Sequence, residues 1–323
     1  MVIEPGFRVQ YYASLSEFSP EPRLNLKYKA STRLRFTAAA GMYSQNLMSA
    51  SSDRDVVNLF YGFLASPEEL PKYYRGQNVN SNLQKARHYL VGTELDVTKE
   101  FNILLEGYIK DFNQITNINR DKIYDNTPAY ADKAEYLKTS FIVEQGKASG
   151  VDLRLTWEHK NLYIYGVYSY TYITRTDEIR TYFPVFDRRH NINIVTSYDW
   201  GKKHKWQFNA RFNFGSGFPL TQNQGFYELL DFNNGGIGQN YQSTNGQIGV
   251  LYGDIGKGRL PVFNRLDVSL KKTYTFSKTS ELNVIASIVN VYDRQNIFYF
   301  DRVNFIRINQ LPILPSLGFN LSF

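Results

Sequence analysis

The chain contains no cysteine, and only three methionines and three tryptophans, in 323 residues. Without thiols it can hold no disulfide framework and no thiolate metal site. The four histidines, His88, His159, His190 and His204, are scattered and show no metal-ligand spacing, so neither a metal nor a bound cofactor is expected. No run approaches the ~18 uninterrupted apolar residues of a membrane helix. No Gly-x-Ser-x-Gly sequence occurs, and Ser197 has no histidine at matching depth, so an enzyme is not expected. The glycine-rich stretch 233–238 lacks the Lys-Ser/Thr of a phosphate loop and reads as a plain loop. The N-terminus, Met1-Val-Ile-Glu-Pro-Gly-Phe7, has neither the basic nor the apolar region of a signal peptide. If the protein is exported, its leader is expected to lie outside this sequence.

What is abundant is aromatic: 25 tyrosines and 23 phenylalanines, 16% aromatic with the tryptophans. Such an excess suits sheet surfaces and the girdles of membrane barrels. The formal charge is +7, but lysine and arginine are spread along the chain rather than massed in runs, so nucleic acid is not an expected partner. The mean hydropathy of −0.41 fits a soluble protein and a β-barrel equally, since half of each barrel strand faces water.

The pattern that decides the fold is alternation. In the last eight residues Leu317, Phe319, Leu321 and Phe323 share one parity, and Ser316, Gly318, Asn320 and Ser322 the other. A strand turns successive side chains to opposite faces, so this is one oily face and one polar face. The stretch from Lys205 to Gly215 is sharper still: Trp206, Phe208, Ala210, Phe212 and Phe214 oppose Lys205, Gln207, Asn209, Arg211 and Asn213. Twelve strands are predicted in all. The others are Phe7–Ala13, Arg23–Ala30, Leu34–Tyr43, His88–Thr98, Phe101–Lys110, Gly150–Glu158, Leu162–Thr174, Asn191–Trp200, Arg265–Phe276 and Glu281–Tyr292.

After the first strand, short turns alternate with long segments. The turns are 31–33, 99–100, 160–161, 201–204 and 277–279; the long segments are 45–86, 113–148, 177–190, 216–264 and 293–315. Structureless loops this long are uncommon in compact soluble domains. Short periplasmic turns on one rim and long extracellular loops on the other are the plan of outer-membrane barrels. Strands of about ten residues also exceed the common five or six and match a tilted bilayer crossing. The expectation is an all-β, antiparallel transmembrane β-barrel, with Phe323 at the periplasmic rim. The apolar parity then faces outer-membrane lipid. Asp152, Arg154, Arg211, Arg265, Asp267 and Lys271 line the lumen. A soluble sandwich would invert this polarity.

A transport protein needs a ligand surface rather than a catalytic group. Loop aromatics and arginines can grip a ligand by stacking and bidentate contacts. The candidates are Tyr61 and Phe63, then Tyr73, Tyr74 and Arg75, then Tyr182, Phe186 and Arg188. The alternative for these residues is loop packing. Asp187 with Arg188 and Arg189 is expected to anchor a loop base by ion pairs.

Several blocks occur in order along essentially the whole chain: Pro22-Arg-Leu-Asn-Leu-Lys-Tyr-Lys29, Ala40-Gly-Met-Tyr-Ser-Gln45, Glu106-Gly-Tyr-Ile-Lys-Asp-Phe112, Phe186-Asp-Arg-Arg-His-Asn191, Phe214-Gly-Ser-Gly-Phe-Pro219, Arg265-Leu-Asp-Val-Ser269, Val289-Asn-Val-Tyr292 and Leu311-Pro-Ile-Leu-Pro-Ser-Leu-Gly318. Together they resemble the C-terminal barrel half of TonB-dependent outer-membrane receptors of Bacteroidetes type. The resemblance implies uptake of a scarce small-molecule, peptide or glycan ligand across the outer membrane, driven by the TonB complex. It also implies a barrel of about 22 strands with a plug inside. Twelve strands without a plug therefore suggest that residues 1–323 are the C-terminal part of such a barrel, with TonB contacted through a missing N-terminal part. Two other functions are open: a self-standing twelve-stranded pore, and an outer-membrane barrel enzyme.

Overall fold

The computed structural model describes every residue except 50–63, 66–69, 203–204, 230–246, 278 and 302–303. Twelve antiparallel strands follow one another in a single sheet, each hydrogen-bonded to its sequence neighbour. They are β1 (Val2–Tyr12), β2 (Glu17–Lys29), β3 (Leu34–Gln45), β4 (Gln84–Asp96), β5 (Phe101–Ile118), β6 (Phe141–His159), β7 (Leu162–Thr176), β8 (His190–Trp200), β9 (Trp206–Gly215), β10 (Phe263–Thr275), β11 (Glu281–Val289) and β12 (Leu314–Ser322). The two-residue strand Thr181–Tyr182 adds to β7. Among the described residues β1 pairs only with β2, and β12 only with β11, so both outer edges of the sheet are free.

The register carries the polarity across the whole sheet. Leu26, Ala38, Val91, Gly107, Val151 and Tyr170 stand abreast on β2 to β7. Leu162, Tyr198, Phe208, Leu270, Ala286 and Leu317 do so on β7 to β12. The opposite parity aligns Glu106, Asp152, Ser169 and Asn191, then Asn193, Asn213 and Arg265, then Arg211 and Asp267. A one-residue slip anywhere would mix the two faces. None occurs in the middle of the sheet. The two register shifts, at Lys85/Ala86 and Glu144/Gly146, lie toward the ends bearing the long loops.

The apolar face is uncovered. Val91 is 64% exposed, Phe208 37% and Leu321 57%, so no dry core lies between layers. An apolar face this wide is incompatible with bulk water and suits lipid. At the short-turn end it finishes in an aromatic rim: Trp200 stacks on Trp206 at 6.0 Å and on Tyr198 at 5.7 Å, with Lys272 Nζ 4.1 Å above the Trp206 ring. Aromatic rings and a snorkelling lysine belong at a membrane–water boundary. Tight packing is found instead at the long-loop end, where Tyr12, Tyr74, Leu83, Ile115, Val143 and Tyr182 are buried.

All twelve strands expected from the sequence are present. They differ mostly at the long-loop end. β5 runs on to Ile118 and β6 begins at Phe141, within residues expected to be loop. The extended parts rise past the alternating, apolar-faced stretch. Residues such as Thr116 and Asn117 pack there beneath loops, and no oily parity announces the strand.

Candidate functional site

The polar face, toward the long-loop end, carries the chemistry. Its organising element is the segment from Tyr182 to Arg189, which folds back against β6 and β7. Asp187, fully buried, receives the Ile173 amide at 2.9 Å and pairs with Arg189 at 2.8 Å and with Arg259 at 2.6 Å. Arg259 arrives from the loop between β9 and β10. This fixes the segment so that Phe186 points into one pocket and Arg188 into another.

The first pocket, of about 380 Å³, gathers five rings, Tyr43, His88, Tyr108, Phe112 and Phe186, with Lys110 and Arg175 among smaller polar and aliphatic residues. His88 stacks on Tyr43 at 4.4 Å, and Arg175 lies 5.1 Å over the Phe186 ring. Tyr108 is held by a 3.0 Å hydrogen bond to Thr171. Stacking surfaces with nearby cations can hold a planar or aromatic group.

The second pocket, of about 230 Å³, is lined by Arg188, Asn191, Asn193, Arg211, Asn213, Phe263, Arg265 and Asp267. Asp267 takes a bidentate grip from Arg265, at 2.7 Å from both Nε and Nη2, and accepts the Asn290 amide at 2.9 Å. Arg188 lies 4.3 Å from the Phe218 ring and 5.5 Å from Phe263. Its guanidinium passes over Gly215, where a Cβ would stand 2.3 Å from Arg188 Cζ; only glycine allows that approach. Burial pushes the Arg188 guanidinium below its ordinary pKa.

Above these pockets a buried polar cluster ties the loops together. Glu144, wholly buried, pairs with Arg120 at 2.7 Å and accepts the Tyr182 hydroxyl at 2.8 Å. Arg120 also reaches Asp177 at 2.7 Å and lies 4.7 Å over the Tyr182 ring. Burial disfavours the Arg120 charge, but Tyr182, Glu144 and Asp177 outweigh this and raise its pKa. Burial likewise opposes ionisation of Asp177, yet the hydrogen bonds from Arg120 and the amides of Arg180 and Ile179 hold its carboxyl below the usual range.

The candidate residues fall into distinct places. Tyr73 and Tyr74 sit in a small hairpin with Gln77–Asn78, whose turn residues Arg75 and Gly76 have φ of 51° and 73°. Tyr74 is buried and donates to the Thr176 carbonyl at 3.0 Å, whereas Tyr73 is 61% exposed. Arg75 donates to Glu178 through its amide and to Gln145 through its side chain. Tyr182 is buried in the loop cluster, Phe186 is exposed to the aromatic pocket, and Arg188 joins Arg211, Arg265 and Asp267 in the second pocket. Arg154 and Lys271 lie on the same face away from it. Tyr61, Phe63, the loop 233–238 and His204 lie outside the described residues. Of the other histidines, His159 pairs with Glu100 at 2.7 Å and His190 with the Tyr168 hydroxyl at 2.9 Å. Sequence reasoning missed Arg120, Glu144, Arg259 and Phe263, because nothing in their local pattern marks the partners they find across the fold.

No protein-family model matches the sequence, and no curated protein matches it by sequence. Solved structures match it in fold. The ferric citrate transporter FecA in its unliganded form is 15% identical with a TM-score of 0.55, over 94% of this chain and 38% of that one. The ferripyoverdine receptor of the outer membrane of Pseudomonas aeruginosa, bound to ferripyoverdine, is 11% identical with a TM-score of 0.56, over 95% and 33%. The outer-membrane transporter YddB from Escherichia coli is 11% identical with a TM-score of 0.56, over 99% and 42%. The chain therefore spans less than half the length of each structure. These neighbours are outer-membrane receptors and transporters, the class that the sequence blocks resemble, and the shared feature is the barrel fold.

Proposed function

We propose that the chain is the C-terminal wall of a larger outer-membrane barrel that takes up a scarce ligand from outside the cell, as a TonB-dependent receptor does. The observation that carries this reading is the parity of the sheet. One face is oily over all twelve strands, while the other gathers arginines, carboxylates and asparagines beneath long loops. That division suits lipid outside and a wet passage inside. Two free edges in a sheet of this polarity are a hazard in lipid, where every backbone group must be paired. Further strands joining β1 and β12 would remove both edges, in keeping with the share of the longer structures that this chain spans.

The ligand route runs down the polar face, past the aromatic pocket and the arginine pocket. Coupling to the TonB complex rests on the resemblance and belongs to the whole receptor rather than to this wall. The neighbours include a ferric citrate transporter and a receptor bound to ferripyoverdine, and a metal chelate of that kind is one ligand class for this wall.

The test is to express the 323-residue chain alone and beside the intact receptor, and to compare gel mobility with and without boiling. The intact protein is expected to show a heat-modifiable band in outer-membrane fractions, and the isolated chain none. A heat-modifiable, steadily conducting barrel formed by the chain alone would overturn this reading and establish a self-standing pore.

A further inference from the structure

We propose that the pocket between Arg188, Arg211 and Arg265 is an anion subsite built to take a carboxylate or phosphate group. The inference rests on reading the polar face as a lumen.

Three guanidiniums face the pocket and one carboxylate, Asp267. Asp267 is already engaged by Arg265 and the Asn290 amide. Among the described residues neither Arg188 nor Arg211 has an ion-pair partner, although Arg211 stands opposite Asp267 in the register, and one carboxylate against three guanidiniums leaves a net of two positive charges around about 230 Å³. That space is small for a whole ligand and suited to one terminal group.

The surroundings of Arg188 point the same way. Its Nε donates to the Ser216 carbonyl at 3.2 Å, and its two terminal nitrogens have no partner among the described residues. The guanidinium lies over Gly215 and beside two phenylalanine rings, so it is partly stripped of water and unpaired at once. A cation so placed is costly unless an anion joins it. The adjacent arginines differ: Arg189 and Arg259 both share Asp187. A loop that needed Arg188 only as an anchor had a buried carboxylate one residue away, and the fold gives that carboxylate to others. Planar guanidiniums grip carboxylate and phosphate oxygens in pairs, and the Asn191, Asn193 and Asn213 amides supply neutral donors at the rim.

The anion has two possible sources: a group on the transported ligand, or an acidic side chain from elsewhere in the protein. The experiment separates them. Inorganic phosphate and citrate are titrated by calorimetry into the intact protein purified from outer membranes, at constant ionic strength. Saturable binding is expected, weakened about 10- to 100-fold by Arg188→Gln or Arg211→Gln, the loss of one charge-assisted contact. Lys122→Gln, on an exposed loop, should bind as the parent does. If neither anion binds, a density map of the intact protein decides. An Asp or Glu carboxylate seated against Arg188 and Arg211 identifies the internal source. The proposal is overturned if phosphate and citrate bind parent and variants equally, or if they do not bind and the map holds only water there. Either failure leaves the uptake reading standing, because outer-membrane fractionation and heat-modifiability do not depend on this pocket.

Discussion

An arginine placed at Phe212 gives the most exacting check on the two-faced sheet. Phe212 stands on β9 between Ile194 of β8 and Leu266 of β10, with Ala210 and Phe214 on the same side of its own strand. Trp206, lower on that strand, belongs to the aromatic rim. At about 3.3 Å per residue and a tilt of about 40°, Phe212 lies roughly 15 Å above that rim, near the middle of an apolar band about 25 Å tall. A cation there meets only hydrocarbon and aromatic neighbours, so Phe212→Arg should destabilise the folded barrel by about 2–4 kcal/mol. Asn209 lies on the same strand with the opposite parity, beside Ser197 and Ser269. Asn209→Arg should cost less than about 1 kcal/mol, as for a substitution into a wet surface. The assay is denaturant unfolding of the intact barrel in lipid vesicles, read by tryptophan fluorescence. Equal costs at the two positions would refute the assignment of the faces.

Two further predictions concern the loop cluster. Glu144→Ala takes one carboxylate partner from the buried Arg120, and loss of one partner of a buried pair costs about 3–5 kcal/mol. It should loosen the loops around Asn119, Asp177 and Tyr182 in hydrogen exchange while the sheet register, Val91 to Gly107 and Val151 among it, stays protected. The second is a pH dependence. The folded pKa of Asp177 is depressed below its ordinary 3.8, so its contribution is complete above 3.8 and is lost as pH falls through the lower folded value. Loop protection around Asp177 should therefore hold down to about pH 4 and fail below it, and Asp177→Asn should remove that acid transition.

Much of the architecture was legible because lipid imposes one rule on every crossing. The side chains of β9, and those of β12 from Pro315 onward, must alternate between oil and water, and they do so without interruption. Where lipid ends, so does the rule. Asn113 to Ile118 and Phe141 to Ala148 are paired strands in the structure, yet as sequence they read as loop, because packing under loops makes no demand for alternation. Prolines hid the start of the sheet in another way. Pro5 falls within β1 and Pro20 and Pro22 within the first half of β2, outside the Arg23–Lys29 stretch that pairs with β3, and as sequence a proline argues against a strand. The site was half visible. The run from Tyr182 to Arg189 stands out in composition, and Arg211, Arg265 and Asp267 follow from parity alone. That Asp187 serves Arg189 and Arg259 while Arg188 turns to the pocket depends on a contact spanning 72 residues of chain, which no local pattern encodes.

The absence of cysteine from these 323 residues allows the central claim to be measured directly, since an introduced thiol is the sole attachment point in this wall once any thiol elsewhere in the intact protein is replaced by serine. Spin labels at Phe208→Cys and Arg211→Cys, in the intact protein in native-like membranes, report which solvent each face meets. The account predicts that molecular oxygen, concentrated in lipid, relaxes the label at 208 while a water-soluble nickel chelate does not, and that the label at 211 shows the reverse. Equal access of the chelate to both positions, or the opposite pattern, contradicts an oily exterior and a watery passage.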